Sequence, residues 1–186
     1  VIMAPAFSKE ALAILQEKKD IRILRWQGTS LTGKQIRTSF TGLLVQDRDT
    51  SVETKENLKT VTKRKPTEQE VKDLLVANIA VKHLKSNAIA LVKDGALVSM
   101  GCGQTSRIDA LKQAIDKAGK FGFSLNGSVL SSEAFFPFPD CVELAGKMGV
   151  TAVIQPGGSK NDQASIDMAN TYNMAMVATG FRHFKH

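Results

Sequence analysis

VLSSEAFFPFPDCVELAGKMGVTAVIQ, residues 129–155, contains the clearest indication of how this chain folds. Its apolar ends are typical of short buried strands, and residues 140–148 between them have the spacing of a helix that stops at Gly149. A further helix and strand are predicted at residues 162–172 and 174–179. Short strands that alternate with helices of about ten residues predict a parallel sheet with right-handed crossovers.

The middle of this stretch, residues 131–140, contains three phenylalanines and two prolines. Proline excludes a helix interior, because it lacks the backbone donor and clashes with the preceding turn. A rigid aromatic loop between a strand and a helix is where α/β proteins hold planar ligands. A loop that only fills the core is the alternative, and the residues leave both interpretations open.

The carboxyl ends of parallel strands meet at one edge of a sheet, and the ligands of open α/β sheets bind there. The segments that leave the predicted strand ends are residues 132–139, 156–161 and 180–186. Because these segments must converge, the topology predicts one ligand site, formed by Phe135, Asp140, Ser159, Lys160, Arg182 and His186.

The first part of the chain predicts a smaller set of elements. Residues 1–4 and 21–26 are strand candidates, and Ser8 caps a predicted helix between them. Residues 28–50 are polar and interrupted by glycine. They indicate a hairpin-like excursion around residues 40–46, whose function the sequence does not reveal.

The clearest helix begins after Thr67, which forms a capping box with Glu70. Residues 88–93 and 96–100 alternate around Asp94-Gly95, a two-residue turn typical of a β-hairpin. The apolar spacing of the capped helix predicts a buried face formed by Val71, Leu74, Leu75 and Ile79.

Two glycine-rich loops stand before predicted helices. GCGQTSR at residues 101–107 presents free N–H groups and the positive end of a helix dipole, which together favour an anion. Arg107 opposes that dipole, and an anionic ligand would reverse the sign of the interaction. An exposed arginine that tolerates the penalty is the alternative. PGGSK at residues 156–160 is a weaker candidate, and neither loop matches a phosphate loop or a dinucleotide-binding fingerprint.

The composition favours an anionic partner. The 186 residues suit one domain or slightly more, and 25 Lys and Arg against 18 Asp and Glu give a net charge of +7. Charge alone does not choose between phosphorylated metabolites, folates and nucleic acid. The densest basic patch is more typical of a solvated loop than of a nucleic-acid footprint, and consists of Lys55, Lys59, Lys63, Arg64 and Lys65.

Cys102 and Cys141 form no Cys-x-x-Cys pair, so we expect two free thiols in a reducing cytoplasm. No apolar run approaches the ~18 residues that a membrane span requires. The chain begins VIMAP, without an initiator methionine and already inside an apolar run. This beginning predicts a fragment of a longer protein.

The histidines offer limited chemistry. His83 is predicted near a helix end, whereas His183 and His186 belong to FRHFKH at residues 181–186. The two phenylalanines of that tail predict that it is packed, and a buried histidine beside Arg182 can orient a proton-transfer partner. No His-x-Glu occurs together with Cys-x-x-Cys, which excludes the chemistry of zinc deaminases.

Five stretches of the chain together carry a family resemblance. They are VKHLKSNAI at residues 81–89, GCGQTSR at 101–107, SSEAFFPFPD at 131–140, IQPGGS at 154–159 and RHFKH at 182–186. With these stretches the chain resembles the AICAR transformylase family, the formyl-transferring half of bifunctional enzymes that also carry IMP cyclohydrolase. The stretches occur in the family's order with similar spacing, and the similarity covers essentially the whole chain. The chain is most similar to the C-terminal part of that family.

The resemblance implies a fold and an assembly. The fold is a cytidine-deaminase-like, three-layer α/β unit with a mixed, largely parallel sheet and no zinc. Residues 1–65 would hold the end of a first unit plus a β-rich excursion, and residues 66–186 a second unit. The assembly is a cytoplasmic homodimer with active sites shared between subunits, without a nucleic-acid or membrane partner.

The resemblance also implies a reaction, the transfer of a formyl group from 10-formyltetrahydrofolate to the 5-amino group of AICAR in purine (IMP) biosynthesis. By position in the family's motifs, the nucleotide contacts are Asn87, Arg107, Phe135 and Arg182. The contacts to the folate co-substrate are Ile108, Asp140, Ser159 and Lys160. His186 would support the catalytic pair. The sequence leaves open a monovalent cation near Ser86, and no metal ligand is implied.

Two departures from the family limit the activity expected of this chain. The family's catalytic Lys-His pair lies upstream of Val1, and Lys82-His83 and Lys185-His186 match other positions. The isolated chain is therefore expected to be inactive. Glu133 stands where the family commonly has aspartate. A non-catalytic module that binds nucleotide or folate is the alternative, and an RNA-binding protein is disfavoured because only the terminal segment interleaves aromatics with cations.

Overall fold

A computed structural model describes residues 1–28 and 33–185 of the chain. Residues 29–32, which belong to the predicted excursion, and His186 lie outside the described residues. The chain divides into two compact units, Val1–Asp49 and Thr50–His186. The second unit thus begins earlier than the predicted boundary after residue 65, because residues 50–65 make their contacts within this unit.

The first unit contains a parallel strand pair and a hairpin. Strands β1 (Ile2–Ala4) and β2 (Ile23–Arg25) and helix α1 (Lys9–Gln16), which follows β1 in the chain, occur where the sequence predicted them. The two strands pair in parallel, which was not predicted. The Ser8 hydroxyl caps α1 by accepting from the N–H of Ala11 at 3.1 Å. Strands β3 (Lys34–Ser39) and β4 (Gly42–Asp47) form the predicted antiparallel hairpin.

The second unit contains a six-stranded sheet and four α-helices among its described residues. In chain order the elements are β5 (Lys59–Thr60), α2 (Glu68–Lys82), β6 (Ile89–Lys93), β7 (Ala96–Gly101), α3 (Arg107–Lys120), β8 (Val129–Ser132), α4 (Asp140–Lys147), β9 (Ala152–Gln155), α5 (Asp162–Thr171) and β10 (Ala175–Ala178). The strand order in the sheet is β5-β10-β9-β8-β6-β7. Strands β8, β9 and β10 are parallel neighbours, as the alternating pattern predicted. The remaining neighbours are antiparallel, although β7 points in the same direction as β8 to β10.

Helices cover both faces of this sheet. Successive side chains of a strand point to opposite faces, so Leu91 packs in the cluster on the side of α3, α4 and α5, whereas Val92 packs with α2. The same alternation separates Val153 from Ile154 in β9. The unit is therefore a three-layer α/β fold with a mixed sheet, as predicted.

Helix α2 confirms the predicted capping box, and it confirms the predicted buried face at Leu74, which is 0% exposed, but not at Ile79. The Thr67 hydroxyl accepts from the N–H of Glu70 at 3.2 Å, and the Glu70 carboxylate accepts from the N–H of Thr67 at 2.7 Å. Ile79, predicted to be buried, is 46% exposed. Two polar residues, Asp73 and Asn78, are buried instead because they bind other elements. Apolar spacing alone could not reveal them.

Two backbone features fix the hairpin and the helix that follows it. Asp94 and Gly95 have φ angles of 52° and 75°, as in a type I′ turn, and Asp73 accepts both of their N–H groups at 3.0 and 2.7 Å. At the end of β7, a Cβ on Gly101 would lie 1.8 Å from the carbonyl oxygen of Ala110 in α3. Only glycine allows α3 to pack this closely on the strand.

Residues 50–65 join the second unit through a strand and an ion pair. β5 pairs with β10, with Thr60 opposite Val177. Arg64 donates to both carboxylate oxygens of Glu70 at 2.9 and 2.7 Å and to the backbone oxygen of Asn173 at 2.8 Å. Arg64 of the predicted basic patch therefore has a structural role, whereas the four lysines of the patch are exposed.

Candidate functional site

A cavity of about 420 Å³ lies beside the aromatic loop of the second unit. Five residues predicted from the sequence line it: Asn87, Arg107, Ile108, Phe135 and Asp140. The remainder of its lining was not predicted and consists of Thr105, Ser106, Ala134, Pro137, Phe138, Cys141 and Phe184.

The sheet register explains why segments so distant in sequence meet here. β6 is antiparallel to β8, so Ile89 at the start of β6 lies opposite Ser132 at the end of β8. Gly101, at the end of β7, pairs with Ile89 from the other side. The end of β8, the start of β6 and the end of β7 therefore reach the same edge. From this edge extend the aromatic loop, Asn87 and the loop that opens α3.

Arg107 is buried in the wall of the cavity, with 7% of its surface exposed. Its Nη1 donates to Ser132 Oγ at 2.9 Å and to Glu133 Oε2 at 2.5 Å, and its Nη2 donates to Asn87 Oδ1 at 3.1 Å. Glu133 is fully buried, and its second oxygen accepts from the N–H of Ala88 at 3.1 Å.

The structure contradicts the alternative of an exposed Arg107, because the guanidinium is buried and paired with Glu133. The interpretation of Arg107 as a ligand contact stays a prediction. Within the described residues, the Nε–H of Arg107 is buried without an acceptor. An unsatisfied buried donor is costly, which favours an acceptor oxygen from a ligand or water at this guanidinium.

The aromatic loop fills the core at one residue and lines the cavity at others. Phe136 is fully buried and packs in the core cluster beneath α3 and α4. Phe135 and Phe138 line the cavity, and Phe138 is largely exposed. The core-filling and ligand-holding interpretations are therefore both compatible with the loop, each at different phenylalanines.

Asp140 and Cys141 begin α4 at the cavity. Asp140 Oδ1 accepts from the N–H of Cys141 at 2.8 Å, and its carboxylate is half-buried in the cavity wall. Burial, reinforced by the neighbouring Asp140 charge, raises the pKa of the Cys141 thiol to about 12. The thiol stays protonated at neutral pH, so Cys141 is a poor nucleophile and acts as an apolar wall.

Three predicted residues do not line this cavity. Ser159 and Lys160 lie in the loop after β9, where Ser159 Oγ accepts from the N–H of Asn161 at 3.1 Å. The Asn161 side chain donates to the carbonyl of Pro137 at 2.8 Å, which joins this loop to the aromatic loop. Arg182 is exposed, and its guanidinium carbon lies 5.7 Å from the ring centroid of Phe184. His186 lies outside the described residues.

Sequence reasoning missed Glu133 as a partner and Phe184 as a lining residue. Glu133 gave one signal, an acidic side chain placed between two short apolar stretches. Phe184 belongs to the FRHFKH tail, whose two phenylalanines predicted packing. His183 in that tail is buried at 2% exposure, whereas Phe181 and Phe184 are each 42% exposed.

The described residues contain no cluster of three or more His, Cys, Asp or Glu side chains placed to hold a metal ion. Over the same residues, none of the helices combines the length and apolarity needed to cross a bilayer. Both cysteines are free.

Comparisons with known proteins give a sequence match across the chain. Residues 1–117 match the family model described as AICARFT/IMPCHase bienzyme. The bifunctional purine biosynthesis protein PurH of Bacteroides thetaiotaomicron is 56% identical over 186 residues, which cover 100% of this chain and 37% of that protein. PurH of Caldicellulosiruptor saccharolyticus is 48% identical over 188 residues, which cover 100% and 36%. The chain thus spans little more than a third of the length of these relatives.

The comparison of structures is weaker. A dCMP deaminase from the cyanophage S-TIM5 in its apo form matches with a TM-score of 0.43 and 19% identity, over 59% of this chain and 98% of that one. This TM-score is too low to establish a shared fold. The α/β class therefore rests on the strand order and the layers.

Proposed function

The chain belongs to the AICARFT/IMPCHase bienzyme family, and we propose that it forms the nucleotide- and folate-binding part of the formyltransferase. The reaction moves a formyl group from 10-formyltetrahydrofolate to the 5-amino group of AICAR. The observation that carries this proposal is the convergence of Asn87, Arg107, Ile108, Phe135 and Asp140 on one cavity.

The nucleotide side of the proposal follows from the donors and the ring at the cavity. Phe135 offers an aromatic face to an imidazole ring. Arg107, already neutralised by Glu133, suits a neutral acceptor such as a carboxamide oxygen better than a phosphate. Arg182 is exposed beside Phe184 and suits the phosphate, because planar guanidinium groups bind phosphate oxygens in pairs.

The folate side depends on Asp140 and the apolar walls. A carboxylate only accepts hydrogen bonds, so Asp140 can receive the amino and ring N–H groups of a pterin. Ile108 and Phe138 supply apolar surface on the same cavity. Ser159 and Lys160 would contact the folate from the margin, through the loop that Asn161 joins to Pro137.

The cavity volume of about 420 Å³ lies in the range for one small ligand, and both substrates together exceed it. We therefore propose that further surface comes from outside these residues, in a cytoplasmic homodimer with shared sites. The catalytic Lys-His pair would also come from elsewhere, with His186 in support. A monovalent cation near Ser86 remains part of the proposal.

One observation favours the alternative of a binding module without chemistry of its own. Among the described lining residues there is neither a lysine nor a histidine, and Cys141 is protonated at neutral pH. These residues can bind and orient substrates, and the Asp140 carboxylate, which the proposal assigns to the pterin, is the one described lining side chain of a type that commonly serves as a general base.

The test is a crossed kinetic experiment on the full-length protein as expressed from its gene. Asp140→Asn keeps the volume of the side chain but replaces an acceptor oxygen by a donor. We expect it to raise the KM for 10-formyltetrahydrofolate about tenfold or more, and the KM for AICAR much less. Arg182→Ala should show the opposite order. The same order in both variants contradicts the assignment, and wild-type protein that binds both ligands without transfer supports the binding module.

A further inference from the structure

The tail at residues 180–185 lies between two cavities. Phe184 lines the candidate site described above. Phe181 lines a second cavity of about 380 Å³, whose other walls include Glu53, Asn57 and Thr179. His183, between the two phenylalanines, is 2% exposed. The side chain that is hidden in this tail is therefore a polar one.

His183 connects the tail to three other parts of the second unit. Its backbone N–H donates to the carbonyl of Glu133 at 3.0 Å, and its Nε2 lies 3.0 Å from Glu53 Oε2. The same Glu53 oxygen accepts from Asn78 Nδ2 at 2.7 Å, and Asn78 Oδ1 accepts from Ser131 Oγ at 3.2 Å. Through Glu53 and Asn78, the imidazole is connected to the segment before β5, to helix α2 and to strand β8.

The contact between His183 and Glu53 joins two buried side chains, which are 1% and 8% exposed. A carboxylate offers acceptor lone pairs, so the tautomer of His183 that carries a proton on Nε2 can donate to Glu53. A hydrogen bond in buried, low-dielectric surroundings is stronger than one in water, so this contact helps to hold the tail.

The neighbours of His183 are Phe184, which lines the candidate site, and Arg182, which does not line it but lies against the Phe184 ring. Arg182 stacks on Phe184, and both side chains are exposed. On the far side, Lys185 is held by Ser86, whose Oγ accepts from its N–H at 3.0 Å. The Arg182–Phe184 stack therefore lies between the buried imidazole of His183 on one side and the Ser86 contact on the other.

We propose that His183, held by Glu53, is a positioning residue that sets Arg182 and Phe184 at the substrate cavity without touching substrate. This inference rests on the proposed function, because it assigns Arg182 to the nucleotide. Arg182 would bind the nucleotide equally in the ground and transition states, so loss of its position acts on KM rather than on kcat.

The test compares His183→Leu with His183→Gln in the full-length protein. Leucine fills the space but leaves the Glu53 carboxylate without this donor, whereas the glutamine amide restores a donor. We expect His183→Leu to raise the KM for AICAR about tenfold and to change kcat less than about threefold. His183→Gln should recover most of the lost affinity. His83→Gln is the matched control, because His83 is exposed at the end of α2.

Hydrogen exchange of the backbone amides of residues 181–185 gives a second readout that needs no activity. We expect faster exchange in His183→Leu and nearly wild-type exchange in His183→Gln. If His183→Leu does not fold, Glu53→Gln, which weakens the same contact, is measured instead and should show a smaller change in the same direction.

Faster exchange with an unchanged KM for AICAR would overturn the proposal, because the contact between His183 and Glu53 would then not affect nucleotide binding. Unchanged exchange would overturn it as well. If wild-type protein neither binds AICAR nor transfers formyl, the proposed function fails, and the proposed role of His183 at the nucleotide site is overturned with it. The exchange data would then still show whether the contact between His183 and Glu53 holds the tail in place.

Discussion

Two arginine–glutamate pairs in this molecule have the same chemistry and different surroundings. Arg64 and Glu70 form a bidentate pair beside α2, with 24% and 13% of their side chains exposed. Arg107 and Glu133 form a pair in the cavity wall with 6% and 0% exposed. The first pair joins a segment to a helix at the surface. The second pair neutralises the charge of Arg107 in the wall of a candidate binding site. The two pairs differ in role because they differ in burial and in position.

The largest expected effect comes from breaking the buried pair. Glu133→Ala leaves Arg107 charged and without its carboxylate in the core, and we expect a loss of about 3–5 kcal/mol in the free energy of unfolding. Urea denaturation of the purified protein measures it. The double variant Glu133→Ala with Arg107→Met should recover most of this loss, because no charge is then buried alone. If the double variant is as unstable as the single one, the uncompensated charge is not the cause.

A slightly smaller effect tests the helix that carries Arg107. Gly101→Ala would place a Cβ against the carbonyl of Ala110, and we expect about 2–4 kcal/mol of destabilisation as α3 is displaced from β7. Gly119→Ala, in the same helix with open space around it, is the control. Alanine is the better helix former, so this control should gain about 0.5–1 kcal/mol. Equal effects in the two variants would contradict the close packing.

The smallest effect concerns the surface pair and depends on pH. Burial alone would raise the pKa of Glu70, but hydrogen bonds from Arg64 and the N–H of Thr67 lower it from 4.5 to about 2. A depressed pKa means that the pair stabilises the fold above pH 4.5, and that this stabilisation is lost as the pH falls toward 2. Allowing for partial solvent screening, Glu70→Gln should cost about 1–2 kcal/mol at pH 7.

The pH dependence of this variant is measured by urea unfolding between pH 7 and pH 2. The difference between wild type and Glu70→Gln should shrink toward zero at the acid end. Glu68→Gln is the control, because the Lys55–Glu68 pair is well exposed and its loss should leave the urea midpoint unchanged. A difference that stays constant with pH would show that the Glu70 charge is not responsible.

The same two pairs show what sequence can and cannot predict. Glu70 lies six residues from Arg64, and the capping box with Thr67 is a local pattern, so the start of α2 was predictable. Glu133 is 26 residues from Arg107. They meet only because β6 is antiparallel to β8 and brings the loops to one edge, which the alternating pattern after residue 129 did not reveal.

Other residues divide in the same way, into those whose place follows from a local sequence pattern and those whose place depends on contacts between distant segments. Phe135 and Asp140 belong to one short stretch, and the position of that stretch at a strand end predicted their place. Phe184 and the burial of Asn78 depend on contacts made across the sheet. Neither periodicity nor spacing carries information about such contacts, because the partners come from different elements.

The most direct measurement is a crystal structure of the protein with AICAR and a non-reactive folate analogue. We expect to find the imidazole ring of AICAR against Phe135 and the pterin amino group on Asp140, with Arg107 still paired to Glu133. Nucleotide or folate bound elsewhere, with the cavity of about 420 Å³ left open, would contradict it.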